Sequence, residues 1–195
     1  DLLHYCHLST GNYHPKTARL YTDYGLFTAN PQIGEDMHRV FLQLTSLGKV
    51  LKLEKLLQSP FTLHPACIKH IERETRHAEA GRPARIIAKM NSLTERTIID
   101  ALYAASQAGV EIDLIIRGMC CLRPGVPGLS DKIRVRSIIG RFLEHTRVYY
   151  FANDGNPDLY CASADWMERN LFRRVETAFP LLDKKIAKRV IRELN

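Results

Sequence analysis

The second half of the chain alternates between short apolar runs and amphipathic runs, and this alternation constrains the fold more than any other feature. Arg85 to Met90 and Val110 to Ile116 have the apolar, β-branched character of strands. Between them, Leu93 to Ala108 has the spacing of an amphipathic helix, which Gly109 ends. Strands that alternate with helices are typical of a sheet covered by helices. We therefore predict an α/β fold.

The same patterns place further elements along the chain. Helices are predicted at 31–47, from Pro65 to Gly81, near Met167 and from Asp183 onward, with a helical turn at 142–144; strands are predicted at 5–9, 133–137, 147–151, 159–162 and 175–179. A leucine- and lysine-rich connector ends near Ser59-Pro60, where the proline favours extended or turn backbone. This pair marks the predicted boundary between two parts, residues 1–58 and 59–195.

The sequence carries 28 lysine and arginine residues against 21 aspartate and glutamate residues, a formal net charge of +7. This balance favours an anionic partner, and nucleic acid, anionic lipid, nucleotide and a phosphate polymer all fit the charge. The alternative is a solvated basic surface without a specific partner. The sequence has neither a GxxxxGK[ST] loop nor a kinase-type glycine loop, so it would have to bind ATP without the common nucleotide motifs.

Five cysteines are present, and no two of them have CxxC spacing. An odd number without that spacing argues against a zinc site or a disulfide framework, so we expect reduced cysteines and a cytoplasmic location. His64, His70 and His77 are six and seven residues apart, which does not bring three imidazoles to one helix face. We predict no metal site there.

His145 and Arg147 stand two residues apart where the chain enters a predicted strand. Side chains with this spacing lie on the same face of an extended segment. The pair suits a phosphoryl group, because an imidazole can exchange a proton while a guanidinium neutralises charge. The alternative is a surface histidine at the entrance to a strand.

Arg117 directly follows the apolar run 110–116. This order places a cation at the carboxyl end of a predicted parallel strand. Open α/β sheets bind their ligands at that edge. Arg117 is therefore a candidate anion-binding residue.

Two short segments of the chain are similar to each other. Tyr5 to Asn12 runs from a strand into Ser-Thr-Gly-Asn, and Tyr160 to Asp165 runs from a strand into Ser-Ala-Asp; basic residues follow both. The match suggests a duplicated half-site, although an ordinary turn also accounts for the first segment. His7, in the first of these strands, is predicted to be a buried core histidine.

Five sequence blocks carry a family resemblance. They are HLSTGNY at 7–13, KTARLYTDY at 16–24, IRGMC at 116–120, RFLEHTR at 141–147 and SADWM at 163–167. In this order, across nearly the whole chain, they resemble the bacterial polyphosphate kinases of the synthesising type. The C-terminal half of that family is similar to two phospholipase D-like domains. The resemblance implies that residues 1–58 are the end of the first such domain and residues 59–195 nearly all of the second.

The resemblance implies reversible transfer of the terminal phosphate of ATP to polyphosphate, with Mg²⁺ and through a phosphohistidine. It places the family's ATP-contacting tyrosine at Tyr21, its phosphate-binding arginine at Arg117, and the second domain's catalytic, ATP-binding histidine at His145. Arg174 matches a further arginine of the phosphate tunnel. The expected partners are ATP or ADP and polyphosphate, without nucleic acid; we also expect a homo-oligomer of the full-length protein and peripheral contact with membranes.

In the resemblance, the phosphorylated histidine belongs to a His-x-Lys segment upstream of the strand that contains His7. That segment is missing here, so we expect the chain alone to be inactive as a kinase. Two alternatives are a phospholipase D-like phosphatidyltransferase and a non-catalytic polyanion-binding module. The first needs a complete His-x-Lys-x4-Asp element, whereas Thr146 and Arg147 follow His145. The second should bind any polyanion with strong salt dependence.

Overall fold

The computed structural model describes residues 3–45 and 52–195. Within these ranges the strands are β1 (Cys6–Ser9), β2 (Tyr21–Thr22), β3 (Gly25–Thr28), β4 (Leu57–Ser59), β5 (Arg85–Met90), β6 (Glu111–Ile116), β7 (Ile133–Arg136), β8 (Leu143–Glu144), β9 (Arg147–Phe151), β10 (Asp158–Ala162) and β11 (Glu176–Pro180). The α-helices are α1 (Pro15–Ala18), α2 (Pro31–Thr45), α3 (Leu63–Glu79), α4 (Arg96–Gln107) and α5 (Lys184–Leu194). A 3-10 turn spans Asn153–Gly155, and a π-helix spans Arg169–Arg173.

A seven-stranded mixed sheet, in the order β4-β11-β10-β9-β5-β6-β7, is the centre of the fold. Strands β5, β6 and β7 run parallel to one another, whereas β9 is antiparallel to β5 and β10. Two short sheets accompany it: β1 pairs antiparallel with β3, and β2 pairs parallel with β8. The predicted α/β class, a sheet with helical cover, is confirmed.

Both faces of the large sheet are buried, and alternate residues of each strand point to opposite faces. In β5, Ile86 and Ala88 pack into one apolar cluster with α3 and α4. Ile87 points the other way, into a second cluster that includes Leu8 and Ile33 from residues 3–45 together with residues of α5. Residues 3–45 therefore pack against the second face of the sheet. This packing brings Thr10 and Tyr21 into the same cavity as Asn91 and Arg117, the residues that follow β5 and β6.

The segment that leads into the large sheet is fixed by a buried carboxylate. Asp36 on α2 is fully buried and accepts hydrogen bonds from the backbone N–H groups of Glu54, Lys55 and Leu56 at 2.6 to 3.0 Å. Strand β4, which follows at once, pairs antiparallel with β11. Residues 57 and 58, which precede the predicted boundary, therefore contribute to the same sheet as residues 85–180.

Most predicted elements occur within a few residues of their predicted bounds. Residues 46 and 47 of the first predicted helix, and the start of the connector, lie outside the described residues. Helix α4 begins three residues later than predicted, because Leu93 forms bridges with Cys120 and Trp166, and the Glu95 side chain caps the helix. Among the described residues, no helix is both long and apolar enough to cross a membrane.

Two expectations were wrong. Residues 142–144 do not form a helical turn, because Leu143 and Glu144 pair with Tyr21 and Thr22 as strand β8. His7 is exposed and not part of the core, because the covered face of β1 is the one that carries Leu8. The His7 ring instead stacks on Phe27, with ring centroids 4.4 Å apart.

Candidate functional site

A cavity of about 580 Å³ lies beyond the carboxyl ends of β5 and β6. The residues after these two strands, Asn91 and Arg117, both line it. Tyr21, His145 and Arg174, which come from distant parts of the chain, line it as well. The structure therefore brings all four predicted site residues into one cavity, at the sheet edge that the sequence indicated for Arg117.

Three arginines of this cavity have no partner for their charge among the described residues. Within the described part of the chain, the side chains of Arg117, Arg169 and Arg174 make no hydrogen bond or ion pair, although all three line the cavity. The Nε atom of Arg117 is buried without a hydrogen-bond partner. A buried polar atom without a partner is costly, and an anion in the cavity would satisfy it. The arrangement can bind a group with several negative charges.

His145 occupies one wall of the cavity in a fixed orientation. Its Nδ1 atom lies 2.8 Å from Oδ1 of Asp23, and its ring centroid is 4.8 Å from that of Tyr21. The parallel pairing of β2 with β8 explains this contact, because Asp23 and His145 are the next residues after the paired strands. The imidazole can therefore hold a proton on Nδ1 toward Asp23, the arrangement of a histidine oriented by a carboxylate.

Asp23 is itself held in place by the turn at the end of β1. The hydroxyl of Thr10 donates to Oδ1 of Asp23 at 3.1 Å and accepts from the backbone N–H of Tyr24 at 3.0 Å. Gly11 leaves room for this carboxylate, because a Cβ atom there would lie 2.5 Å from Cγ of Asp23. The turn predicted at 9–12 exists, and its described side chains bind Asp23 and the backbone.

Arg147 lies beside His145, as the two-residue spacing predicted, with its Nη1 atom 2.9 Å from Nε2 of the ring. Its charge is nevertheless neutralised by Asp165, since Nε and Nη2 approach the two carboxylate oxygens at 3.1 and 3.2 Å. The side chains of this pair are only 8% and 3% exposed. Arg147 is therefore not a free cation for a phosphoryl group, contrary to the interpretation from spacing.

The backbone around Asp165 is held from two sides. Asp165 Oδ1 accepts the backbone N–H of Asn91 at 2.7 Å. Tyr149 donates its hydroxyl to the carbonyl of Ala164, and burial raises the pKa of this tyrosine well above its ordinary value. The phenol therefore stays protonated and remains a donor. These contacts fix the floor of the cavity.

Glu176 also lines the cavity. Its carboxylate accepts a hydrogen bond from the hydroxyl of Ser163 and another, at 2.7 Å, from the side-chain amide of Asn170. Ser163 also accepts the backbone N–H of Thr177 at 3.1 Å. Glu176 thus presents a fixed carboxylate in a cavity that is otherwise rich in arginine.

The residues of the cavity do not fit a magnesium ion held by protein carboxylates alone. Among the described residues, no group of three or more His, Cys, Asp or Glu side chains is arranged to hold a metal. Asp23, Asp165 and Glu176 are each engaged by other side chains. Mg²⁺ prefers octahedral oxygen ligands, among which waters and substrate phosphates are common. We therefore derive no chemical step from a resident metal.

Asp23 and Glu176 were not among the site residues predicted from the sequence. Asp23 lies inside the Tyr-Thr-Asp run that carried the family resemblance, two residues after Tyr21, but its contact with His145 depends on a pairing between distant strands. For Glu176 a signal was available. When the weak similarity between residues 5–12 and 160–165 is aligned so that Thr10 matches Ser163, the same offset matches Asp23 with Glu176.

Comparisons with known proteins agree with the sequence resemblance. Residues 56–195 match the family model described as polyphosphate kinase C-terminal domain 2, and residues 1–50 match that of C-terminal domain 1. The chain is 64% identical over 189 residues to a polyphosphate kinase of Xylella fastidiosa strain 9a5c and 62% identical over 192 residues to one of Burkholderia ambifaria strain MC40-6. These matches cover 97% and 98% of the chain but only 27% and 28% of the relatives.

A solved structure gives the same result. The crystal structure of polyphosphate kinase from Porphyromonas gingivalis is similar to this chain with a TM-score of 0.92 and 42% sequence identity. The similarity covers 96% of this chain and 29% of that one. The chain thus spans a little more than a quarter of the proteins that it matches.

Proposed function

The chain belongs to the polyphosphate kinase family, and we propose on this premise that its cavity binds the phosphates of ATP and polyphosphate. The whole protein would transfer the terminal phosphate of ATP reversibly to polyphosphate. The observation that carries the proposal is the convergence of three arginines on the cavity that His145 lines. Within the described residues all three are unpaired, and one has a buried Nε without a partner. Phosphoryl transfer needs mainly positioning and neutralisation of charge, and this cavity offers both.

Each predicted residue has a role in this proposal. Tyr21 packs against the nucleotide, and its ring already lies against that of His145. Arg117 and Arg174 neutralise phosphate oxygens. His145, oriented by Asp23, assists proton transfer or stabilises the group in transfer. Arg169, another unpaired arginine of the cavity, would add to the phosphate contacts.

The chemical intermediate is also a proposal. A phosphohistidine would form on a histidine outside residues 1–195, and His145 would act opposite it. Mg²⁺ would enter with the nucleotide phosphates, because the cavity carboxylates are already engaged. A homo-oligomer, a cytoplasmic location, peripheral contact with membranes and the assignment of both parts to phospholipase D-like domains stay predictions.

A simple polyanion-binding module is the second candidate function. The exposed side of α5 favours it, because Lys184, Lys185 and Lys188 make no side-chain ion pair within the described residues and face solvent. Such a surface would attract any polyanion and would be strongly screened by salt. ATP should compete there no better than other anions of similar charge, which separates this surface from the cavity.

Binding of labelled polyphosphate to this chain, at fixed salt, tests the proposal. We expect Arg117→Ala to weaken binding about 10-fold, as loss of a charge-assisted contact does, and ATP to compete. His145→Ala should weaken it less. Arg96→Ala, which removes an arginine with a 91% exposed side chain on α4, is the matched control and should bind as the wild type does. Equal binding by all variants, with ATP competing no better than other anions of similar charge, would leave only diffuse electrostatic attraction.

A further inference from the structure

Lys89 is the next-to-last residue of β5, and it carries a charge into a covered face of the large sheet. It lies two residues after Ile87, so its side chain points to the same face, the one against which residues 3–45 pack. The side chain is only 14% exposed. Burying an ammonium group is costly unless an opposite charge compensates it. Lys89 therefore needs an acidic partner on the elements that cover this face.

Glu144, on strand β8, is that partner. Nζ of Lys89 donates to Oε2 of Glu144 at 2.6 Å, and the Glu144 side chain is 20% exposed. Within the described residues, the side chain of Lys89 makes no other hydrogen bond or ion pair. Among the described strands, β8 pairs only with β2 and not with the large sheet. The ion pair thus connects the carboxyl end of β5 to a strand of a separate small sheet.

Thr22, on strand β2, binds the same carboxylate. Its hydroxyl donates to Oε2 of Glu144 at 3.2 Å. Thr22 is also the residue that pairs with Glu144 in the β2–β8 ladder, which is two residue pairs long. A pairing this short contributes little stability by itself. One carboxylate oxygen therefore ties β2 and β8 to each other and to β5.

The next residue of each small strand belongs to the oriented pair in the cavity. Asp23 follows Thr22 and His145 follows Glu144, and Oδ1 of Asp23 lies 2.8 Å from Nδ1 of His145. The backbone N–H of His145 donates to the carbonyl of Thr22 at 3.2 Å. A displacement of β8 relative to β2 would therefore separate the imidazole from its carboxylate. The ion pair with Lys89 opposes that displacement.

Glu144 also lines a second cavity, of about 410 Å³, which has Tyr21 and Arg117 in its wall. An unpaired carboxylate there would repel phosphate groups or attract the guanidinium of Arg117. Lys89 neutralises this charge. Glu144 can therefore hold β8 in place without disturbing the residues that we propose contact ATP.

We infer that Lys89 is a positioning residue for the Asp23–His145 pair. By binding Glu144 it holds β8 against β2, and this keeps the imidazole aligned with its carboxylate. Lys89 lines neither of the two cavities, so it acts through Glu144 and not by contact with a substrate. The inference rests on the proposed function, because the alignment matters only if His145 acts on the phosphoryl group in transfer.

The test measures polyphosphate synthesis from ATP by the full-length protein. The double substitution Lys89→Met/Glu144→Gln removes the ion pair without leaving a buried charge unpaired. We expect kcat to fall about 10-fold, as misalignment of a reacting group does, while the KM for ATP changes less than about 2-fold. Lys89→Arg keeps a long cationic side chain and should retain about half of the wild-type kcat or more. A Lys89→Arg variant as slow as the double variant would contradict the inference.

A second comparison separates positioning from an independent effect on structure. In an Asp23→Asn background the imidazole has already lost its orienting carboxylate. Adding Lys89→Met/Glu144→Gln to that background should therefore lower kcat by less than about a further 2-fold. A role that does not act through the Asp23–His145 pair would instead give the full loss, about 10-fold, in both backgrounds.

Lys132→Met/Glu111→Gln is the matched control. It removes another lysine–glutamate pair, with Nζ and Oε1 3.1 Å apart, at the amino ends of β6 and β7. This edge of the sheet is opposite to the one that holds the cavity, so kcat and KM should equal those of the wild type. Both double variants lose the same kind of ion pair, so a difference in kcat between them reports where the pair lies.

An unchanged kcat in Lys89→Met/Glu144→Gln would overturn the inference. A rise in KM that matches the loss of kcat would also overturn it, as would the full loss in the Asp23→Asn background. If Arg117→Ala still weakens binding of polyphosphate in that case, the proposed function stands. If the wild type makes no polyphosphate from ATP, both proposals fail.

Discussion

The imidazole of His145 and the carboxylate of Asp23 lie 2.8 Å apart, although 122 positions separate the two residues in the chain. The contact joins the part of the chain that matches C-terminal domain 1 to the part that matches domain 2. The orientation of the His145 imidazole therefore depends on two sets of contacts. One is the packing of residues 3–45 against the large sheet, and the other is the pairing of β2 with β8. The site is therefore a product of the interface between the two parts.

Replacing Asp23 with asparagine should disable His145 without removing the phosphate site. The amide can present an N–H to Nδ1 and so favour the wrong tautomer of the imidazole. We expect kcat for polyphosphate synthesis by the full-length protein to fall about 10- to 100-fold, with the KM for ATP nearly unchanged. Glu35→Gln, an exposed carboxylate on α2 that pairs with Arg39, is the control. A normal kcat in Asp23→Asn would show that the pair is only structural.

Gly11→Ala should distort the same wall of the cavity. Its Cβ atom would lie 2.5 Å from Cγ of Asp23, so either the turn or the carboxylate must move. Such overpacking costs about 1–3 kcal/mol, and the measurement is urea unfolding of this chain. Gly140→Ala is the matched control, because a Cβ atom there would meet nothing within 4 Å. Equal stability of both variants would contradict the predicted clash.

The large sheet could be predicted from the sequence, whereas the contacts of the site could not. The bounds of β5 and β9 agree with the prediction, because each has enough consecutive apolar residues to show its pattern. Strands β2 and β8 contain two residues each, too few for any periodicity, and they decide where Asp23 and His145 meet. Sequence spacing correctly placed Arg147 beside His145, but it could not show that Asp165 already neutralises the guanidinium. A side chain that tertiary packing brings from a distant part of the chain leaves no signal in the local sequence around its partner.

Asp165→Asn should destabilise the chain strongly. The substitution leaves the guanidinium of Arg147, whose side chain is 8% exposed, without its counter-charge. Breaking a buried ion pair by removal of one partner costs about 3–5 kcal/mol. Asp100→Asn is the control, since it breaks a surface pair with Arg96 at 3.7 Å and should cost less than about 1 kcal/mol. Similar unfolding free energies for the two variants would show that the buried pair adds little to stability.

The stability of the chain should fall as the pH is lowered below about 6.5, with His70 as one cause. Burial, reinforced by Arg73, lowers the pKa of His70 to about 4, and its ring stacks on Phe151. An unfolded histidine has a pKa near 6.5, so below that pH the unfolded state binds a proton that the folded state does not. The loss should begin near pH 6.5, level off below pH 4 and amount to roughly 3 kcal/mol.

Unfolding free energies measured from pH 7.5 to pH 4 should fall less steeply for His70→Gln than for the wild type. His38→Gln, which removes an exposed histidine, is the comparison variant, and equal slopes for wild type and His70→Gln would assign the acid sensitivity to other groups.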